Sequence, residues 1–298
     1  MFKKLSDLEH LIKKNKVTKT LVLAVSQDAH SLNAVYKAFK EGIIVPILIG
    51  DQALTREIIA EKGYCFDGVT FVDEPDYEKC VELAVRMVHE KKADILMKGK
   101  VATPILLKAV LNKEWGLRTG TLLSHFALFE VDTYHKLMAI TDVAMNIAPN
   151  LKDKIAIINN SVAYLNKMGI VKPKVAVLGA IEMVNESMQA TMDAALLSKM
   201  NQRDQIKNCI IDGPLAFDNA VSFESAKEKN INSSVAGDTD LLLMPDIEVG
   251  NVLYKTLVFF AKAKVASVIL GAEAPIVLTS RSDSEESKYN SILLAVLG

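Results

Sequence analysis

The 298-residue chain has three cysteines, one tryptophan, 6% aromatic residues and a formal net charge of −1. Each scarcity removes a class of explanation. Cys65, Cys80 and Cys209 are scattered at spacings that make neither a disulfide framework nor a metal site. They read as small buried hydrophobes. A balanced charge with no long basic block argues against nucleic acid, because binding a phosphate backbone needs clustered cations. No apolar run approaches the roughly 20 residues of a membrane span. Met1-Phe2-Lys3-Lys4 leads into Ser, Asp, Glu and His rather than the apolar segment of a signal peptide. Reduced thiols and no address imply a cytoplasmic protein.

Three motifs are missing as well. No Gly-x-Gly-x-x-Gly is present, which removes the simplest case for a dinucleotide. No Gly-x4-Gly-Lys-Ser/Thr forms a P-loop. No Gly-x-Ser-x-Gly elbow supports an acyl-serine route.

What is present is alternation. Half of the residues are hydrophobic, and short apolar runs alternate with longer amphipathic ones, the pattern of an α/β protein. Strands are expected at 21–25, 45–49, 69–72 and 94–97, each followed by a helix. From about Leu122 the rhythm breaks into a hairpin, 122–129 and 136–140, and a polar loop at 142–150. It then resumes with strands at 175–178, 209–212, 241–244, 265–270 and 276–278. One helix is expected over 217–229 and a last one ends near Leu297. The break near 115–125 sets two domains, 1–121 plus 272–298 and 122–271. Two lobes joined by two crossings would form a cleft, the usual place for a substrate.

The chemistry-bearing residues cluster where strands end, which is where α/β proteins bind ligands. The apolar run Pro275–Leu278 stops in Thr279-Ser280-Arg281-Ser282-Asp283. An arginine fork beside hydroxyls suits a phosphoryl group or another oxyanion. The same run also serves as a helix N-cap with a surface arginine. Lys98-Gly99-Lys100 leaves the fourth strand, with lysines alternating in direction and a glycine that lets backbone approach a ligand. Met244-Pro245-Asp246-Ile247-Glu248-Val249-Gly250-Asn251 opens a helix. Gly250 and Asn251 suit either helix packing or an anion lying against the turn. Arg118, Ser124 and His125 stand at the proposed crossing, His125 as a buried histidine or as an acid–base group. Asp238 and Asp240 are two carboxylates without further metal ligands at a recognisable spacing. No metal is expected.

Four of these segments form an ordered set: Asp212-Gly213-Pro214-Leu215-Ala216-Phe217-Asp218, Val235-Ala236-Gly237, Met244 to Asn251, and Thr279-Ser280-Arg281-Ser282. In this order they resemble the phosphate acetyl- and butyryltransferase family. The short chain, with Lys98-Gly99-Lys100 and Ser124-His125, resembles the butyryl branch more than the acetyl one. The resemblance implies a two-lobed α/β fold shared with isocitrate and isopropylmalate dehydrogenases, usually dimeric. It implies reversible transfer of a butyryl group between CoA and inorganic phosphate, in a ternary complex without a permanently bound cofactor. CoA, acyl-CoA and phosphate are then the substrates.

By the same resemblance, Ser280 and Arg281 act on the carbonyl and the phosphate. Lys98, Gly99, Lys100, Arg118, Ser124, Gly250, Asn251 and Ser282 are the expected binding residues for phosphate and CoA. A family arginine falls near Lys108 with a one-residue gap. The acetyl branch carries an acidic residue seven positions after the serine. That position is Ser287 here, with Glu286 beside it and Asp283 upstream. Asp283, Glu286 and His125 therefore stand as alternatives for the base. Three other functions remain open: a phosphate acetyltransferase, a metal- and nicotinamide-dependent hydroxyacid dehydrogenase of the same fold, and a non-catalytic sensor of CoA or acyl phosphate.

Overall fold

An aspartate follows several strands and turns the chain into a helix. Asp28, Asp51, Asp76 and Asp246 each sit in extended backbone and accept a hydrogen bond from the amide three residues on. Such caps satisfy amides that the first helical turn leaves unpaired. They bring the helix amino ends of this α/β chain to the carboxyl ends of its strands.

The computed structural model describes residues 2–279 and 283–298. Ser280, Arg281 and Ser282, expected to carry the chemistry, lie outside the described residues. The chain divides into two compact units. The first is Ser6–Thr121 with Ala266–Gly298, and the second is Leu122–Val265 with the amino-terminal residues through Leu5.

The chain begins with α1 (Ser6–Asn15), β1 (Lys19–Ala24), α2 (Ala29–Lys40), β2 (Ile44–Gly50) and α3 (Gln52–Glu61). β3 (Thr70–Asp73), α4 (Tyr77–His89), β4 (Ile95–Lys98) and α5 (Thr103–Val110) follow. The middle stretch holds β5 (Ser124–Glu130), β6 (Met138–Thr141), α6 (Leu151–Lys167), β7 (Lys174–Leu178) and α7 (Gln189–Gln202). It continues through β8 (Ile210–Leu215), α8 (Phe217–Val221), α9 (Phe223–Glu228), β9 (Leu241–Leu243) and α10 (Ile247–Phe259). The chain ends with β10 (Lys264–Leu270), β11 (Ile276–Val277) and α11 (Glu285–Leu297).

In the first unit the strand order is β3-β2-β1-β4-β11-β10, parallel except for β10 against β11. The parallel strands read as unbroken apolar runs because both faces are covered. Leu21, Val22, Leu23 and Ala24 of β1 are wholly buried. Each such Leu or Val contributes about 1.5–3 kcal/mol. α11 packs against α2, α1 and β11, and Lys288 to Val296 are all buried.

In the second unit the order is β5-β6-β9-β7-β8, with β5 antiparallel to β6 and the others parallel. Its core joins Phe129, Ile140, Ala176, Leu242 and Met244 with Tyr254 and Leu257 of α10.

The helix expected over 217–229 is two short ones. Ser222 takes extended backbone between them, and its side chain accepts from the Ser225 amide. A serine hydroxyl competes well for a backbone amide, so it breaks a helix and caps the next.

Candidate functional site

Polar groups gather at the carboxyl ends of strands in each unit. In the first unit they surround a cavity of about 550 Å³ at the ends of β1, β4 and β11. Lys98, Gly99 and Lys100 line it, joined by Gln27, Asp28 and Thr279. Lys98 is 5% exposed, and its Nζ donates to the Val101 carbonyl at 3.1 Å. The alternation argument expected one lysine to face a ligand. Both line the cavity, because the chain turns immediately after β4.

Gly99 has a reason beyond ligand approach. A Cβ there would fall on the Val25 carbonyl oxygen and lie 2.8 Å from that of Ala24. Gly99 and Lys100 donate their amides to those same carbonyls at 2.8 and 3.1 Å. The glycine therefore lets the exit of β4 lie against the exit of β1.

Asp28 is engaged as the cap of α2. Its Oδ2 accepts from the Ser31 amide at 3.1 Å and also from the Ser31 hydroxyl. Lys288, on α11, lines the same cavity and donates to Thr279 Oγ1 at 2.9 Å. Burial pulls the Lys288 ammonium below the ordinary lysine pKa, against the opposing pull of Asp28 and Asp283.

Asp283 is half-buried and Glu286 is exposed on the first turn of α11. The cap of that helix is Ser284, which accepts from the Ser287 amide at 3.1 Å. Arg118 is exposed, and its backbone pairs with Ala272.

The second unit brings Ser124, His125, Gly250 and Asn251 around one loop. α10 crosses the exit of β6 so closely that a Cβ on Gly250 would lie 2.6 Å from the Asp142 carbonyl oxygen. One turn later, Tyr254 meets the His125 ring edge to face, with centroids 6.0 Å apart. Thr141 Oγ1 donates to the His125 carbonyl at 2.8 Å. Ser124 Oγ accepts from Asn160 at 3.1 Å, and Asn251 donates to the Val143 carbonyl at 3.4 Å.

The loop itself is fixed by Asp142. Its Oδ1 accepts from the amides of Ala144 and Met145, and its Oδ2 from Asn146 at 2.6 Å. Asp142 and Asn146 lie in the loop the sequence marked as polar, but neither received a role. Gln27 and Lys288 have no place in the sequence reading, and Thr279 enters it only as the first hydroxyl of the run 279–283.

Asp238 and Asp240, considered for a metal, are held by cations of the protein. Lys136 Nζ lies 2.9 Å from Asp238 and 2.6 Å from Asp240. Lys174 and His135 reach Asp238 at 2.6 and 2.7 Å.

A 47–48% likeness extends over nearly the whole chain. The phosphate butyryltransferase of Clostridium acetobutylicum is 48% identical over 95% of this chain and 94% of its own. The phosphate acetyltransferase of Thermotoga maritima is 47% identical over 94% and 95%. Among solved structures, a branched-chain phosphotransacylase from Enterococcus faecalis superposes with a TM-score of 0.83. It is 35% identical and covers 94% of this chain and 98% of its own. The fold extends to a 4-hydroxythreonine-4-phosphate dehydrogenase from Klebsiella pneumoniae, with a TM-score of 0.60 at 13% identity, over 94% of this chain and 99% of that one. The expected dehydrogenase-like α/β fold is thus the one observed. The family model described as Phosphate acetyl/butaryl transferase matches residues 78–296, and the chain belongs to that family of acyltransferases.

Proposed function

We propose that the protein is a phosphate butyryltransferase, moving a butyryl group reversibly between CoA and inorganic phosphate. The observation that carries this reading is the 48% identity, over nearly the full length of both chains, to an enzyme of that name. The polar cavity at strand ends, lined by Lys98, Lys100 and Lys288, supports it, since both directions of the reaction handle phosphoryl groups.

Towards acyl-CoA, the CoA thiolate attacks the carbonyl of the acyl phosphate. The S–C bond forms, the C–O bond to phosphorus breaks, and inorganic phosphate leaves. A free thiol has a pKa of about 8.5, so a minor thiolate fraction exists near neutrality. In this reading Arg281 clamps the phosphate and Ser280 donates to the carbonyl oxygen as charge builds there. Lys98 and Lys100 add positive charge for the phosphoryl group. Asp283, Glu286 or His125 takes the thiol proton.

The test is thiol release from butyryl-CoA with inorganic phosphate, run beside acetyl-CoA. Turnover favouring butyryl-CoA carries the reading. A preference for acetyl-CoA would shift it to the acetyl reaction, which the Thermotoga maritima relative keeps in view. Release from neither would leave a sensor of CoA or acyl phosphate.

The reading includes a cytoplasmic protein and a homodimer or higher homo-oligomer. Support for the assembly lies in the second unit, where an apolar cavity of about 710 Å³ is walled by Met188, Phe217, Val249, Val252 and Leu253. Met188, Phe217, Val249 and Val252 of that wall are all exposed, Val252 by 65%. Contiguous apolar surface of this kind marks interaction sites. Light scattering of the wild type and of Val252→Asp reads the assembly state.

A further inference from the structure

Lys288 has no part in the acyl-transfer scheme, yet it is placed as a binding group. It is 4% exposed, and it lines the same 550 Å³ cavity as Lys98 and Lys100. A lysine on a cavity wall presents its donors to an anion held there. The Lys288 Nζ also donates to Thr279 Oγ1 at 2.9 Å, on the exit of β11.

Among the described residues that line the cavity, lysines outnumber carboxylates. Lys98, Lys100 and Lys288 supply three cations from two elements, β4 with its exit and α11. Asp28 faces them from the cap of α2, and Asp283 acts on Lys288 from the segment before α11. One Asp28 oxygen is committed to Ser31. His30, also on the wall, lies 3.2 Å from Glu285 on the first turn of α11. The amino end of α2 opens into this space at Ala29, and its positive pole adds to the field.

We propose that Lys288 is a phosphoryl-binding residue of this cavity, acting with Lys98 on the phosphate that the reaction consumes or releases. This rests on the acyl-transfer reading and deepens it. The shared chemistry is a phosphoryl anion, and inorganic phosphate and the phosphates of CoA are its two sources. Lys288 loses its proton at a lower pH than an ordinary lysine because burial disfavours the charged form. Binding that depends on Lys288 therefore weakens on the alkaline side earlier than an ordinary lysine would allow. Arginine at the same place stays charged.

The experiment is calorimetric titration of the full chain with inorganic phosphate and, separately, with CoA. It compares wild type, Lys288→Met and Lys288→Arg, each checked for a native melting transition. At neutral pH, Lys288→Met weakens phosphate binding about tenfold or more, the scale of one charge-assisted hydrogen bond, while CoA binding stays within about twofold. A loss confined to CoA overturns that assignment and puts the ammonium on the phosphates of CoA instead. Loss of neither overturns the proposal. If Lys288→Met does not fold, Lys288→Arg decides. The alkaline fall in phosphate binding moves to higher pH in that variant, and an unmoved fall overturns the proposal. Turnover is not needed for these readouts. Phosphate binding that depends on Lys288 without butyryl transfer would sink the acyl-transfer reading alone. Butyryl transfer with binding indifferent to Lys288 would sink this one alone.

Discussion

Lys136 Nζ lies 2.6 Å from Asp240 Oδ1, in a pair whose lysine is 1% exposed. The pair ties the start of β6 to the start of β9, and Lys174 at the head of β7 joins through Asp238. These are the amino ends of three adjacent parallel strands, opposite the ends where ligands are expected. Removing one partner of a buried pair leaves a charge without compensation, which costs about 3–5 kcal/mol. Lys136→Met is therefore expected to lower the unfolding free energy by about that amount, measured by denaturant titration. A loss below about 1 kcal/mol would show that the network carries no strain of this kind.

The same network sets an acid limit on stability. Burial works to raise the Asp238 pKa, but hydrogen bonds from Lys174, Lys136 and His135 outweigh it and hold the carboxyl well below the usual range. A depressed folded-state pKa stabilises fully above the unfolded value of about 4 and less as pH falls towards the folded one. The melting temperature of the wild type should fall steeply below about pH 4. In Asp238→Asn it should start lower and fall less over the same interval. Parallel curves for the two proteins would contradict this.

A second buried pair tests a different balance. Lys154 on α6 lies 2.6 Å from Asp193 on α7, and each side chain is 5% exposed. Gln189 also donates to Asp193 at 2.8 Å. Lys154→Met alone leaves a buried carboxylate and should cost about 3–5 kcal/mol. Adding Asp193→Leu removes that carboxylate, so the double variant should recover a large part of the loss. A double variant as unstable as the sum of the singles would mean that the two groups act independently.

Gly99 makes a prediction from shape alone. A Cβ at this residue meets the carbonyl oxygens of Ala24 and Val25, both in backbone that cannot rotate aside. Gly99→Ala must push the exits of β1 and β4 apart, at about 1–3 kcal/mol. Lys98 and Lys100 flank the glycine and line the cavity, so phosphate affinity should drop along with stability. A variant with wild-type melting and wild-type phosphate affinity would rule out this packing account.

Much of this arrangement was legible because it obeys local rules. Asp51 and Asp246 are of a capping residue type and stand just before expected helices, and both accept from the amide three residues on. The parallel strands were legible as apolar runs of the right length. Gly250 was legible as a place for helix packing or for an anion, but without its partner. That partner, the Asp142 carbonyl 108 residues away, needs the tertiary structure. Lys288 was hidden for a related reason. α11 is buried nearly all round, so periodicity gives no inside face from which a polar residue could stand out. The break at Ser222 escaped because a serine inside an expected helix carries no mark of which backbone amide its hydroxyl will accept from, and that one bond decided it.

The proposed roles of Ser280 and Arg281 lead to a prediction that separates binding from chemistry. If Arg281 clamps the leaving phosphate and Ser280 donates to the carbonyl oxygen, both act most strongly as charge develops in the transition state. Losing one such donor costs about two to three decades in rate. Arg281→Ala and Ser280→Ala should each lower kcat at least about a hundredfold, with native melting transitions. Wild-type kcat in either would remove that residue from the scheme. The base is tested by the pH dependence of kcat/KM in Asp283→Ala, Glu286→Ala and His125→Ala. The true base, when removed, abolishes the acidic limb of the profile in the thiol-attack direction. If all three keep that limb, the proton leaves to solvent. The rate should then track the thiolate fraction of CoA, rising tenfold per pH unit below a thiol pKa of about 8.5.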